Sequence, residues 1–429
     1  MATWGHHVLA LPMSDIEPTV PGFSGSKGPR RPLMWSRSPA RGLQWPQTGA
    51  GRGWPAWLLV LVLAAVAVGI PTAVLSHDAT AYFVFSPGTA PVITTSSGCK
   101  LTHGELALPN GMPCVRLVIP KGRAHRINGK LLMVDIELSQ ASPLDYAEYE
   151  LGLLGRERQL VPVAAVMGSA PTSEMGCQEG QQMASADQDA AVAALETLRY
   201  RVIEQPLGAE MTAVYAGSPA WSAGVRCDDL VTAVDGKAVR DALDFSTLVS
   251  SLPPGTVVTL TDRPANNGRT RNLKARLVEP PADLVAEGFA SRAYLGVGFE
   301  TRFRTKLPFP ISVDAGDIGG PSAGLAFSLA ILDALSNGRL TGGHTVAATG
   351  TIDTNGNVGD VGGVQEKTAA VEKAGAQVFF VPKAEYAVAR GVAGKHLQVV
   401  PVTTLQQVLE ILQHRYGGDL EGLAADSKA

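Results

Sequence analysis

A serine and a lysine, each held by glycines at the apparent start of a helix, are the residues of this chain best suited to chemistry. Ser322 lies in Gly319-Gly320-Pro321-Ser322-Ala323-Gly324, and Lys367 ends Gly362-Gly363-Val364-Gln365-Glu366-Lys367. A serine hydroxyl is a weak nucleophile until a base takes its proton. A lysine is that base only when its pKa is driven down and the neutral amine becomes available. The local sequence gives two reasons for such a shift. Lys367 falls in the first turn of the apparent helix Gln365–Ala374, where the positive end of the helix dipole opposes an ammonium. Its neighbours Val361, Val364, Ala369, Ala370 and Val371 are apolar, and desolvation acts in the same direction. Ser322 precedes the run Ala323–Leu335, in which Leu325, Leu329, Leu332 and Leu335 define a buried helical face. Asn337-Gly338 reads as the stop. Backbone N–H groups around Gly320–Ala323 are placed to receive an oxyanion. Each motif alone is commonplace as a capped helix start or a solvated lysine; the combination predicts acyl transfer.

With Ala348-Thr349-Gly350 and Val358-Gly359-Asp360-Val361 added, these motifs resemble the proteolytic domain of Lon proteases over roughly Tyr294–Gly417. The resemblance implies that Ser322 is the nucleophile, that Lys367 is the general base, and that Thr349 lies beside the dyad and orients Lys367 by accepting a hydrogen bond. It implies an oxyanion hole from backbone N–H groups near Gly320 and Ala323. Three positions depart from the family pattern. Thr351 replaces the acid of Thr-Gly-Glu. Gly319 replaces an aspartate, with Asp314 and Asp317 nearby. Pro308-Phe309-Pro310-Ile311-Ser312 stands where the family carries histidines. Lon proteases proper carry an ATPase module, but no Gly-x-x-x-x-Gly-Lys-Ser/Thr loop occurs here. ATP-driven unfolding within the same chain is therefore not expected. A ring-shaped homo-oligomer follows only from the resemblance, since no interface is legible in the residues.

Upstream elements would deliver a substrate. The segment Gly208–Val239 reads as strand, Gly217-Ser218-Pro219-Ala220 turn, short helix ending at Ala223-Gly224, strand Leu230–Val234 and turn Asp235-Gly236. It resembles a PDZ domain, with Asp241–Ser251 as the second helix. The resemblance implies capture of protein or peptide partners by strand addition. Leu207, Gly208 and Ala209 would form the carboxylate loop, with Met211 and Ala213 on the groove strand. A closed, purely structural module is the competing reading.

The chargeless run Ala56–Leu75 is long enough to span a bilayer. Arg30, Arg31, Arg37, Arg41 and Arg52 precede it and Asp78 follows, which predicts a cytoplasmic N-terminus and an extracytoplasmic catalytic region. A cleavable signal ending near Ala79-Thr80-Ala81 competes with a retained anchor. Cys99 and Cys114 flank a turn-rich loop suited to a disulfide in an oxidising compartment, although four cysteines allow three pairings. A net charge of −3 implies no nucleic-acid partner. The eight histidines are scattered and no His-Glu-x-x-His occurs, so neither metal nor cofactor is expected.

The expected organisation is α+β, with Leu131–Leu138, Tyr294–Phe299, Thr345–Ile352, Val378–Val381 and Leu397–Pro401 read as strands, Leu405–Tyr416 as a helix and Ser169–Ala186 as a linker or loop. It comprises a disordered tail (1–53), a transmembrane anchor (54–76), a β-rich region with linker and helix (81–200) and a PDZ domain (201–280). A Lon-type proteolytic domain (290–417) and a flexible tail (418–429) complete it. Membrane-anchored serine endopeptidase is the leading reading. A catalytically silent scaffold and a protein that cuts only itself are the rivals.

Overall fold

The computed structural model describes residues 79, 81–95, 99–102, 105–155, 157–163, 172–264, 268–286, 293–316 and 318–420. The proposed span and both predicted tails except residues 418–420 lie outside them. Among the described residues no helix is long and apolar enough to cross a membrane.

The N-terminal part forms β1 (Tyr82–Pro87), β2 (Val92–Thr94), β3 (Lys100–Thr102), β4 (Glu105–Ala107), β5 (Cys114–Val118), β6 (Lys130–Leu132) and β7 (Ile136–Gln140). Helix α1 (Pro143–Glu150), β8 (Gln159–Pro162) and the 26-residue α2 (Thr172–Thr197) follow. The single strand expected over Leu131–Leu138 is split into β6 and β7. At the break, the Met133 and Asp135 N–H groups donate to the Pro91 and Thr89 carbonyls at 3.2 and 3.1 Å. Ser169–Ala186, expected as a linker, is helical from Thr172. Tertiary contacts hold this polar stretch: Gln181 donates to Asp228 at 2.7 Å, and Ser185 to Glu300 at 2.9 Å. The later residues Ala190, Ala191, Ala194 and Leu195 are buried in the main core.

The middle of the chain forms β9 (Ile203–Val214), α3 (Pro219–Ala223), β10 (Leu230–Val234), β11 (Lys237–Ala238), α4 (Ala242–Ser250), β12 (Val257–Arg263), β13 (Arg271–Arg276), α5 (Ala282–Ala286) and β14 (Val297–Lys306). Ser218 caps α3, which ends at left-handed Gly224, and Asp241 caps α4. The sheet order is β13-β12-β10-β9-β14, with β11 on β10. Met211, Phe245, Val258 and Leu260 lie in its core. Tyr294–Phe299 leads into β14, which pairs along its whole length with β9.

The remainder forms β15 (Ser312–Asp314), a 3-10 turn (Pro321–Ala323), α6 (Gly324–Leu335), β16 (Thr345–Ala348), β17 (Thr351–Ile352), β18 (Val358–Gly359), α7 (Val364–Lys373), β19 (Val378–Pro382), α8 (Tyr386–Val392), β20 (Gln398–Val402) and α9 (Leu405–Tyr416). Seven strands run in the order β15-β5-β2-β6-β16-β19-β20. Strands β6, β16, β19 and β20 are mutually parallel. Three strands of the expected separate β-rich region, β2, β5 and β6, therefore sit inside the sheet of the C-terminal domain. Ile93, Val115 and Leu131 share a core with Leu325, Leu329 and Leu332. The sheet-and-core unit spans both sides of residues 203–306, so the PDZ-like fold is an insertion into it. Its entering strand β9 and leaving strand β14 run side by side.

Candidate active site

Gly320 adopts φ +92°, a left-handed conformation suited to glycine. The chain then turns through the 3-10 turn, and α6 begins at Gly324. Every residue of α6 is buried, which fixes the turn to the core. At Gly324, an added Cβ would lie 2.9 Å from Ile352 Cγ2 and 3.1 Å from the Ile352 nitrogen. Only glycine allows the helix start to approach β17 this closely.

The Ser322 carbonyl accepts hydrogen bonds from the Gly350 N–H at 2.9 Å and from Thr349 Oγ1 at 3.1 Å. The Leu325 N–H returns a bond to the Gly350 carbonyl at 3.1 Å. Thr349 is fully buried, and its N–H donates to the Phe380 carbonyl at 3.0 Å. Thr349 thus holds the main chain of the serine, where the sequence reading had it orient the lysine. The Ser322 side chain is half-buried. The first N–H groups of a helical turn lack intrahelical acceptors. Pro321 has none, and the Ser322 and Ala323 N–H groups make no hydrogen bond to another element among the described residues.

Lys367 lies in the first turn of α7, after Gly363 at φ +65°. A Cβ on Gly363 would sit 2.9 Å from Ile136 Cγ2, so this glycine lets α7 close on β7. Lys367 is 3% exposed. Burial pushes its pKa down to about 8, against an opposing pull from Asp135, Glu385 and Glu366. Glu366 is fully buried, and neither of its carboxylate oxygens has a hydrogen-bond partner among the described residues. Burial raises its pKa toward the neutral acid. Asp135 accepts from the Thr89 N–H and hydroxyl. Glu385 accepts from the Val361 N–H at 3.3 Å. The motif reading missed Asp135 and Glu385, because they reach Lys367 from the β6–β7 break and the start of α8. Glu366 lay inside the quoted motif without a role.

The sheet brings the two halves together. Strand β19 follows α7 after a short turn, so α7 packs back with its N-terminus at the C-terminal end of β19. Gly350 is at that same end, where an added Cβ would lie 3.6 Å from Pro382 Cγ. The Ser322 turn and Lys367 therefore share the C-terminal ends of parallel strands, where open sheets of this kind place their ligands. No hydrogen bond joins the two side chains in this structure. Asp314, one candidate for the missing aspartate, is ion-paired to Arg116; Asp317 lies outside the described residues. Leu106, in the loop closed by the Cys99–Cys114 disulfide, lies beside Gly316, six residues before Ser322 in the chain. Cys227 is also disulfide-bonded.

The residues expected to line a peptide groove do not lie at a sheet edge. Leu207, Gly208, Ala209, Met211 and Ala213 lie on β9, which has β10 on one side and β14 on the other. Ala209 and Met211 are fully buried, Ala213 is nearly so, and a Cβ on Gly208 would lie 2.6 Å from the Val231 carbonyl oxygen. No edge remains there for a peptide. Among the described residues the sheet ends at β13 and at β14, and the β14 edge is the one beside α4. Phe299 meets Phe245 edge-on at 4.8 Å, and Thr301 Oγ1 accepts from the Ala242 N–H at 3.0 Å. At the start of β14, the Leu295 and Gly296 carbonyls accept from Ala220 and Tyr215. The Leu295 and Gly296 N–H groups make no hydrogen bond among the described residues, which suits them to a carboxylate. The missed signal was Tyr294-Leu-Gly-Val297, read as a strand of the next domain.

Comparison with known proteins finds two family matches, the second of which takes in β14. Residues 210–262 match the PDZ domain family, and residues 291–415 match the Lon protease (S16) C-terminal proteolytic domain. A Lon protease of Mesomycoplasma hyopneumoniae (strain 232) is 36% identical over 96 residues, covering 22% of this chain and 11% of that protein. Lon protease 2 of Bacillus subtilis (strain 168) is 35% identical over 94 residues, 22% of this chain and 16% of that protein. The chain thus matches only about a tenth to a sixth of the length of these relatives. The PDZ domain of the SdrC-like protein of Listeria monocytogenes aligns at 17% identity with a TM-score of 0.18, covering 22% of this chain and 87% of that one.

Proposed function

We propose that this chain is a serine endopeptidase in which Ser322 attacks a peptide carbonyl and neutral Lys367 takes its proton. The observation that carries the reading is a lysine 3% exposed, with its pKa pushed down to about 8, at the same sheet end as the serine turn. After attack, the oxyanion would rest on the Ser322 and Ala323 N–H groups. Lys367 would then protonate the leaving amine, and water would hydrolyse the acyl-enzyme by the same proton shuttle. Thr349 and Gly350 hold the Ser322 carbonyl and so fix the turn. Substrate capture would use the open edge of β14, with a C-terminal carboxylate at Leu295–Gly296. ATP independence, anchoring through residues 54–76 and an extracytoplasmic catalytic region belong to the same proposal.

The test is cleavage of an unfolded protein in trans by the full chain in detergent, without nucleotide, beside Ser322→Ala and Lys367→Ala. Loss of cleavage in both folded variants supports the dyad. A parent inert from about pH 7 to about pH 10 would sink it. The second reading, a silent scaffold, is favoured by one observation: the Ser322 and Lys367 side chains are not hydrogen-bonded. Apo geometry of this kind is common before substrate tightens a site.

A further inference from the structure

Strand β14 is longer than the groove it lines. Its first half, Val297–Thr301, lies beside α4. Its second half pairs with Ile203–Gly208 of β9 and leads to Leu307 and Phe309, which pack in the core of the proteolytic domain. Both register shifts fall in β9, which skips Thr212 and Leu207, so β14 itself is regular from Val297 to Lys306. The outer edge of the second half is as open as that of the first among the described residues.

Arg302, Arg304 and Lys306 alternate along this half and are all exposed. Alternate strand residues share a face. Arg302 is ion-paired to Glu210. Arg304 and Lys306 have no ion-pair partner among the described residues. The residues opposite them on β9, Gln205 and Ile203, are uncharged and exposed.

We propose that the second half of β14 extends the peptide site and selects substrates with acidic side chains facing Arg304 and Lys306. The proposal rests on peptide capture along β14. A peptide added antiparallel, with its carboxylate at Leu295–Gly296, would face these cations about seven and about nine residues before its C-terminus. An acidic peptide fits better than a second copy of the chain. Antiparallel pairing of two β14 strands about Arg304 would set cation against cation, which is unfavourable. The bland alternative is that the charges only keep an open edge from pairing with other chains.

The experiment uses the full chain carrying Ser322→Ala, so that bound peptides survive. It is mixed with pooled twelve-residue peptides whose last four residues are randomised, with either Glu or Gln at both predicted positions. The bound fraction is read by mass spectrometry at about 0.05 M and about 0.5 M salt. Two exposed cross-strand pairs predict an enrichment of Glu over Gln of roughly fivefold at low salt. That preference should fall to parity at high salt and in Arg304→Gln/Lys306→Gln, with total peptide capture retained. Capture without a Glu preference overturns the extension alone. Absence of any captured peptide overturns both the extension and the groove reading beneath it.

Discussion

Replacing Lys367 with methionine should abolish cleavage and make the protein more stable. Lys367 is 3% exposed, and burial lowers its pKa from 10.5 to about 8. Below about pH 10.5 the unfolded chain binds a proton that the folded chain binds only below about pH 8. Stability therefore falls as pH drops from about 10.5 to about 8, and the loss is complete below that. A shift of roughly 2.5 units corresponds to about 3 kcal/mol at pH 7. Lys367→Met, similar in length and uncharged, should recover up to that amount at pH 7 and almost none at about pH 11. The same shift serves function. At pH 7 about one lysine in ten would be neutral, against about one in three thousand at its ordinary pKa. Cleavage by the parent should then rise about tenfold per pH unit up to about pH 8 and level above about pH 9. Urea unfolding at the two pH values and kcat/KM from pH 6 to pH 10 are the assays. A methionine variant no more stable than the parent at pH 7, or a pH-independent rate below pH 8, would refute the account.

Thr349→Val removes the 3.1 Å bond to the Ser322 carbonyl but leaves the Gly350 N–H in place. It should cost about 1 kcal/mol of stability and lower kcat more than it changes KM, as read by steady-state kinetics. Gly363→Ala forces a Cβ to 2.9 Å from Ile136 Cγ2 at φ +65°. A loss of roughly 1–3 kcal/mol with reduced kcat is expected, and unaltered unfolding would show that α7 does not depend on this approach. Cys99→Ser/Cys114→Ser opens the 15-residue loop and should lower stability by about 3 kcal/mol. Because Cys227 is also disulfide-bonded, the unfolding midpoint of the variant should fall between those of the oxidised and the fully reduced parent.

The dyad motifs were legible because their signals are local. Glycines flank Ser322 and precede Lys367, apolar residues surround the lysine, and the leucine spacing of α6 appears at its proper period. The strands β10, β16, β19 and β20, and the helices α4, α7 and α9, fall within a residue or two of the sequence pattern at most of their ends. The strand expected over Thr345–Ile352 breaks at Thr349-Gly350, and that break supplies the two donors to the Ser322 carbonyl.

Relations between distant segments were not legible. Nothing near Val92, Val115 or Leu131 marks them as the centre of a sheet completed by residues 345–402. Nor could a strand ending in Arg302, Arg304 and Lys306 announce that it would leave the PDZ fold along β9 and take the open edge from it. Asp135 and Glu385 reach Lys367 only because β7 and α8 close around α7. Residue types and local spacing single out Ser322 and Lys367 as candidates and mark the local elements that present them. Long-range packing sets which strands end a sheet and which carboxylates reach the lysine. Both depend on pairing and burial between segments far apart in the chain, where hydrophobic periodicity carries no address.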